Sequence, residues 1–201
     1  EMCIRDRISH DLRTPLTRLK LQLAMINNKE ISNNMSKDID EMENMLNDYL
    51  QFAKSQAKES TEKISLSEIL QLIKSKINNP MLNLKIENEI SLYGRKNALE
   101  RCFSNIINNG LVYGKKVKVK VQKSSKRAVI MIDDDGPGIP TEHYRNVFKP
   151  FFRLDQSRSL NKSGVGLGLA IVEDIVNSHG GQIQLSSSSM GGLQVKISLP
   201  F

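Results

Sequence analysis

From Ile8 onward, apolar residues recur at steps of four or three: Leu12, Leu16, Leu19, Leu23 and Ile26. That spacing predicts an amphipathic helix with one core-facing stripe. Asn27-Asn28-Lys29 interrupts it, and a second stripe follows through Met35, Ile39, Met42, Leu46, Tyr49 or Leu50, and Ala53. Two helices joined by a short polar turn make a hairpin. A lone hairpin leaves an apolar face uncovered, so the expected remedy is a homodimer closing into a four-helix bundle.

Residues 55–63 carry a single apolar side chain, Ala57, and read as the end of the second helix and a linker. The pattern then changes. A capped helix is predicted from Ser67 to Ile77, a strand over Leu84 to Ile90, and a helix over Arg95 to Val112. Val117, Val119 and Val121 alternate with lysines in a half-buried strand, and Arg127 to Asp133 forms another. Gly166 to Ser178 reads as a helix, and Gln182 to Leu185 with Leu193 to Leu199 as a closing strand pair. Three helices among strands in mostly hairpin-like order predict an α+β fold: a helical hairpin followed by an α/β sandwich with helices on one sheet face. The expected division is 1–58, a linker at 59–65, and 66–201. Glu1 to Arg7 can be back-translated into the end of a common transposon-based sequencing adapter. They are expected to be non-native, with the natural chain continuing upstream of Ile8.

The chain has 201 residues, 39% hydrophobic and 25% charged, which excludes a disordered tail or a fibre. No apolar run approaches the ~20 residues of a membrane span. The net charge is +7, from 29 basic and 22 acidic side chains, but Lys115 to Arg127 alone holds seven basic residues and no acid. The excess is therefore local, which argues against nucleic acid as a partner. That stretch is most simply a strand with a solvated face; the alternative is a surface for an acidic partner. Cys3 and Cys102 provide no disulfide framework and no metal-ligand spacing.

Residues 9–16 read Ser-His-Asp-Leu-Arg-Thr-Pro-Leu. His10 and Thr14 are four apart and share a helix face, while Leu12 and Leu16 turn to the core. An exposed histidine can present Nε2 as a nucleophile while a carboxylate holds Nδ1–H, and Asp11 is the acid placed for that. Pro15 crowds the Asp11 carbonyl and should bend the helix there. Further on, Asp133-Asp-Asp-Gly-Pro-Gly-Ile139 follows a strand. Its glycines permit close backbone approach and a carboxylate can accept an adenine amino proton, although the same residues also make a plain acidic turn. Gly164-x-Gly166-x-Gly168 opens a helix, whose N-terminal amides favour anions. Asn105 and Asn109 share a helix face; their oxygens suit Mg²⁺, and they equally suit a solvated helix.

Taken together these segments resemble the histidine protein kinases over nearly the whole chain. The octapeptide resembles the H-box, Asn105-Ile-Ile-Asn-Asn109 with Tyr113-Gly114 the N-box, and Asp134-x-Gly136-x-Gly138 the first glycine box. Phe148-Lys-Pro-Phe-Phe152 resembles the F-box, and Gly164-x-Gly166-x-Gly168 the second glycine box. The resemblance implies a GHKL-type ATP-binding domain with ATP and Mg²⁺. His10 is then the phospho-acceptor, Asp11 the adjacent base and Thr14 the phosphatase residue. Asn109 is the implied Mg²⁺ ligand and Asn105 a phosphate-side contact. Tyr113 lines the adenine pocket, Asp134 takes the adenine amino group, and Gly136, Gly138, Gly164, Gly166 and Gly168 lie along the nucleotide.

The implied lid runs over residues 141–165, anchored by Phe148, Phe151 and Phe152, with core packing the other reading of Phe148. Lys149, Arg153, Arg158 and Lys162 bring it positive charge. The implied partner is the receiver domain of a response regulator. The implied place is cytoplasmic, in a parent protein of the bacterial inner membrane that touches the membrane only through upstream segments. Two positions depart from the family pattern: Val112 stands where Lys or Arg is usual, and Gly110 where Ala is usual. A non-enzymatic dimeric scaffold and a clamp-type ATPase are the alternatives. The first has no need of Asn109, Asp134 and the glycines, the second none of the His10 octapeptide.

Overall fold

The computed structural model describes residues 15–19, 21–23, 32–33, 35–36, 39–40, 42–43, 59–154 and 166–201. The chain divides into two compact units, 1–57 and 58–201. In the first, every described residue is helical. Leu16, Leu23 and Ile39 bury against one another, joining the two predicted stripes. Ser32 Oγ donates to the Leu23 carbonyl at 3.0 Å. Leu19, Met35 and Met42, from the same stripes, are exposed in the single chain.

The second unit holds strands β1 (Glu62–Ser65), β2 (Leu82–Ile86), β3 (Ser91–Gly94), β4 (Val117–Ser124), β5 (Arg127–Asp134), β6 (Gln182–Ser187) and β7 (Leu193–Pro200). Its helices are α1 (Leu66–Ile77), α2 (Lys96–Tyr113) and α3 (Gly168–Ser178). The main sheet has the order β2-β4-β5-β7-β6, with β2 parallel to β4 and the other pairs antiparallel; β1 and β3 form a separate antiparallel pair. Alternation sets the layers. Val117, Val119, Val121, Ala128, Ile130, Ile132, Val195, Ile197 and Leu199 are buried, and α2 packs on β4 and β5 with α1 and α3 beside it. On the other face Asn83, Lys85, Lys118, Lys196 and Gln184 are exposed. The lysine-rich stretch is thus largely a solvated sheet face, with Glu87 bridging Lys85 and Lys120 at 3.1 and 3.2 Å.

Several boundaries differ from the sequence expectation, among them the start of α3 at Gly168 rather than Gly166, which takes a left-handed φ of +78° ahead of the helix. Helix α1 starts at Leu66 rather than Ser67, because Ser65 is its N-cap and accepts from Glu68 N–H at 3.4 Å. Ser67 instead lies inside the helix and is buried. The single strand expected over Leu84 to Ile90 is two. At Glu87 and Asn88 the chain leaves the sheet, and the Asn88 side chain accepts from Lys123 N–H at 3.0 Å. Part of the expected linker, Glu62–Ser65, is β1 and pairs with Ser91–Gly94.

His179 ties two helix ends together. Its Nε2 accepts from the N–H of Arg95, the N-cap residue of α2, at 3.1 Å. Nδ1 lies 2.7 Å from the Ile175 carbonyl near the end of α3. A backbone N–H can only donate, so Nε2 carries no proton and Nδ1–H donates to Ile175. Burial lowers the His179 pKa below its ordinary value, and the bond to Ile175 opposes that shift. The folded-state pKa therefore lies below the unfolded value of about 6.5. The stabilisation is complete above that pH and is lost as pH falls through the folded-state value. His179→Ala should lower stability by about 1–3 kcal/mol and flatten the pH dependence below ~6.5. Denaturant melts of both proteins from pH 7.5 to 5 check this.

Candidate functional site

Helix α2 is the beam of the site. Ala98, Leu99, Cys102, Phe103, Ile106 and Ile107 bury one side of it, and burial pushes the Cys102 thiol up, consistent with an inert packed residue. The side chains of Asn105 and Asn109 leave that buried stripe on the side facing α3. Asn105 Nδ2 donates to the Gly168 carbonyl at 3.4 Å. A Cβ built on Gly168 would lie 3.6 Å from Asn109 Nδ2 and 3.9 Å from its Oδ1. Gly168 is the first residue of α3, and its N-cap residue, Leu167, has no side chain that can cap it; among the described residues no side chain accepts from its first amides. The first amides of α3 and two side-chain amides therefore meet at one place. Uncapped helix amides and hard oxygen donors form a site for phosphate and for a hard cation shared with it. The donor chemistry of Asn109 fits Mg²⁺ only with most of the shell supplied by ligand phosphates and water.

The residue after Asn109 brings in the sheet. A Cβ on Gly110 would lie 2.7 Å from Val117 Cγ2 and 3.3 Å from Asp134 Cβ. Glycine at 110 is thus a packing solution that lets α2 approach β4 and β5 next to a buried valine. The three consecutive aspartates take three different sets of partners. Asp133 is buried and accepts from Ser188 Oγ and Gln194 Nε2, both at 2.9 Å. Asp135 accepts from the N–H of Lys115 at 2.6 Å and of Lys116 at 2.7 Å. Those two bonds, Lys116 first, hold its carboxyl below the usual carboxylate range. Asp134 faces the helix layer. Its Oδ1 accepts from Gly136 N–H at 2.9 Å and Leu193 N–H at 3.1 Å. With Oδ1 held by main chain, Oδ2 points past Gly110, 3.8 Å from the position a Cβ there would take.

Tyr113 sits in the last turn of α2, and a Cβ on Gly136 would lie 3.2 Å from its carbonyl. Gly138 takes φ +71°, a left-handed conformation suited to glycine. Asn105, Asn109, Tyr113, Asp134, Gly136 and Gly168 are thus brought together around the C-terminal half of α2. Gly166 meets the F-box-like segment: Phe151 N–H donates to its carbonyl at 3.0 Å. A Cβ at 166 would meet the Phe152 carbonyl at 2.8 Å. Phe151 makes this contact through its main chain, at φ +66°, while its ring is 59% exposed. Phe152 packs on His143, and Phe148 lines a separate cavity of about 410 Å³ with Tyr144, Lys149 and Leu185. That cavity holds Phe148, Lys149 and Pro150 of the F-box-like segment but none of Asn105, Asn109, Tyr113, Asp134 or the motif glycines, so the site is defined by donors and amides rather than by that hollow. His10, Asp11, Thr14 and Gly164, with Arg158 and Lys162 of the lid, lie outside the described residues, as does any bend beside His10. Among the described residues no group of His, Cys, Asp and Glu could hold a metal by itself.

Sequence reasoning missed Gly192 and Leu193. A Cβ on Gly192 would stand 2.1 Å from Asp134 Oδ1 and 2.6 Å from Gly136 N, so the hairpin between β6 and β7 dictates how Asp134 is held. The Gly191-Gly192 pair was the available signal. Gly192→Ala should weaken nucleotide binding at least tenfold and cost roughly 1–3 kcal/mol of stability, by overpacking. Gly191→Ala, where a Cβ meets nothing within 4 Å but φ is +103°, should cost stability through backbone strain and leave affinity nearly unchanged. Titration with a fluorescent ATP analogue beside thermal melts separates the two.

Two family models match the chain: "Histidine kinase-, DNA gyrase B-, and HSP90-like ATPase" over residues 94–201, and "His Kinase A (phospho-acceptor) domain" over residues 6–58. The sensor histidine kinase GtrS of Pseudomonas aeruginosa is 34% identical over 202 residues, covering 96% of this chain and 40% of the relative. The sensor histidine kinase CpxA of Escherichia coli is 35% identical over 208 residues, covering 96% of this chain and 45% of the relative. The chain thus spans under half the length of these relatives. Among solved structures, the histidine kinase domain of the E. coli osmosensor EnvZ aligns with a TM-score of 0.55 and 31% identity, covering 72% of this chain and 92% of that one. The chain belongs to the histidine kinase-, DNA gyrase B- and HSP90-like ATPases, joined to a His Kinase A phospho-acceptor domain as in the sensor histidine kinases.

Proposed function

We propose that this chain is the catalytic core of a two-component histidine kinase, using ATP with Mg²⁺ to phosphorylate its own His10. The observation that carries the reading is the meeting of Asn105 and Asn109 with the uncapped N-terminus of α3, one residue from the contact between Gly110 and Asp134. That arrangement offers a phosphate end and a purine end about the same helix, in a chain that also matches a phospho-acceptor domain. Asp134 Oδ2 accepts the adenine amino proton, Tyr113 and Gly136 flank the base, and the amides of α3 hold the phosphates. Asn109 ligates Mg²⁺, which neutralises charge on the phosphates when bound. The Nε2 lone pair of His10 attacks the γ-phosphorus. The N–P bond forms as the bond to the bridging oxygen breaks, ADP leaves, and Asp11 holds Nδ1–H. Such transfer depends mainly on positioning and charge neutralisation.

From His10 the phosphoryl group passes to an aspartate carboxylate on the receiver domain of a response regulator. Thr14, one turn on from His10, orients water for hydrolysis of the regulator's phosphoaspartate, which releases inorganic phosphate. The exposure of Leu19, Met35 and Met42 beside the buried Leu16, Leu23 and Ile39 supports a homodimer through the first unit. The chain is read as the cytoplasmic part of a longer sensor. Among the described residues no helix is long and apolar enough to cross a membrane.

Incubation with γ-labelled ATP and Mg²⁺ tests the reading. Acid-labile, alkali-stable label should appear on the protein. His10→Gln should abolish it while nucleotide affinity stays within about twofold, since acceptor and pocket lie in different units. Asn109→Ala should lose label and affinity together with unchanged circular dichroism. Free phosphate without protein label, or undiminished label in His10→Gln, would overturn the assignment.

The dimer is checked separately. Sedimentation at tens of micromolar, roughly where bundle dimers persist, should show two copies; a stable monomer counts against it.

A further inference from the structure

We propose that Glu59 is a positioning residue for phosphoryl transfer: its carboxylate clamps the incoming chain onto the N-terminus of α2 and so fixes where the interdomain tether ends. The inference rests on the histidine kinase reading and adds to it a residue that lies in none of the motifs.

Helix α2 begins without a cap of its own. Arg95 holds the N-cap position in an extended conformation, and its side chain makes no capping bond. The orphan amides of the first turn need acceptors. Glu59 supplies them from 38 residues away: Asn97 N–H donates to Oε1 at 2.7 Å and Ala98 N–H to Oε2 at 3.3 Å. The Arg95 N–H is taken by His179. A carboxylate at the positive end of a helix gains from both the charge-assisted bonds and the dipole. Arg101, one turn further along α2, senses it too: burial lowers the Arg101 pKa and the Glu59 charge is the first effect opposing that.

Among the described residues ahead of β1, Glu59 alone meets these amides. Ser60 and Thr61 are exposed, and β1 begins at Glu62. With the clamp closed, the chain entering the second unit is fixed at Glu59 to the helix carrying Asn105 and Asn109. With it open, the first fixed residue is Glu62, where β1 begins. Three more residues add about 10 Å of extended reach. Effective concentration falls roughly as the −3/2 power of tether length or more steeply once the tether can span the sites, so lengthening it by three residues predicts a loss of roughly twofold or more. The nucleotide end should be untouched, because Ala98, Leu99, Cys102 and Phe103 hold α2 by burial irrespective of the cap.

The test uses the full chain as wild type, Glu59→Gln and Glu59→Ala. Initial rates of phosphohistidine formation are measured against ATP concentration, and exchange of the Asn97 and Ala98 amides is followed without nucleotide. The expected result is a kcat lower by roughly twofold or more in Glu59→Ala. The loss should be smaller in Glu59→Gln, which keeps an acceptor oxygen. KM for ATP should stay within about twofold and both amides should exchange faster. An unchanged or raised kcat with faster exchange overturns the proposal. So does a KM that rises in step with the fall in kcat, which would make Glu59 a structural part of the pocket. Absence of phosphohistidine in the wild type overturns the kinase reading itself, and faster exchange would then leave Glu59 as a capping contact only.

Discussion

Asp134 can present one oxygen to a ligand only because its other oxygen is already bound by main chain. Oδ1 takes the amides of Gly136 and Leu193, and Gly192 carries no Cβ because that space is the carboxylate's own. Three parts of the chain converge on this constraint. The end of β5 supplies the residue, the glycine turn after it supplies one amide, and the β6–β7 hairpin supplies the other. Helix α2 then closes on the same carboxylate through Gly110, where any side chain would have to displace Val117. The pairing of Gly110 with Val117 makes the departure from the family's usual alanine a matter of packing. It leaves the chemistry of the site alone.

The other end of the site depends on an unmet need. Helix α3 starts after Leu167 with no side-chain cap among the described residues, so its first amides keep their hydrogen-bonding capacity and about half a positive charge. Asn105 holds the Gly168 carbonyl and thereby fixes the start of α3 against α2. A capping serine or aspartate at Leu167 would satisfy the same amides and remove the anion site. The missing basic residue at Val112, which is 43% exposed at the last turn of α2, is read against this background. The helix amides supply positive potential at the phosphate end that does not depend on a side-chain cation. A basic residue at 112 would add to an attraction already built into the backbone.

Much of the second unit was legible because its strands alternate cleanly and its helices carry buried stripes. Val117, Val119 and Val121 fixed β4, and the spacing of Asn105 and Asn109 put both on one face of α2. What escaped is what depends on distant partners. Strand β1 reads Glu-Lys-Ile-Ser, with one buried residue, and becomes a strand only because Ser91–Gly94 returns beside it. The strand expected over Leu84 to Ile90 broke where Glu87 and Asn88 found partners on β4, at Lys120 and Lys123. Of the three aspartates, strand parity could have singled out Asp134: it shares a face with Ile130 and Ile132, whereas Asp133 alternates to the other face. The roles of Gly192 and Leu193 required the fold, since sequence does not say which amide a carboxylate will meet 59 residues away.

The same dependence on distant contacts explains why helix ends carry so much of this unit's organisation. Three of them lie outside the motifs' own apolar cores: the N-terminus of α2, the C-terminus of α3 and the N-terminus of α3. The first two are joined through His179, which must be neutral to accept from Arg95 and donate to Ile175 at once. Glu59 meets the amides that His179 leaves. The chain's entry and the far end of α3 are therefore gathered at one end of α2, while Asn105, Asn109 and Tyr113 occupy the other. Because α2 is a continuous helix of 18 residues, buried along its length, it transmits position between those ends without needing to change conformation. A tether fixed at one end of such a beam sets where the site at the other end can travel. A ligand that binds only at the far end leaves the tether's fixed point where it was.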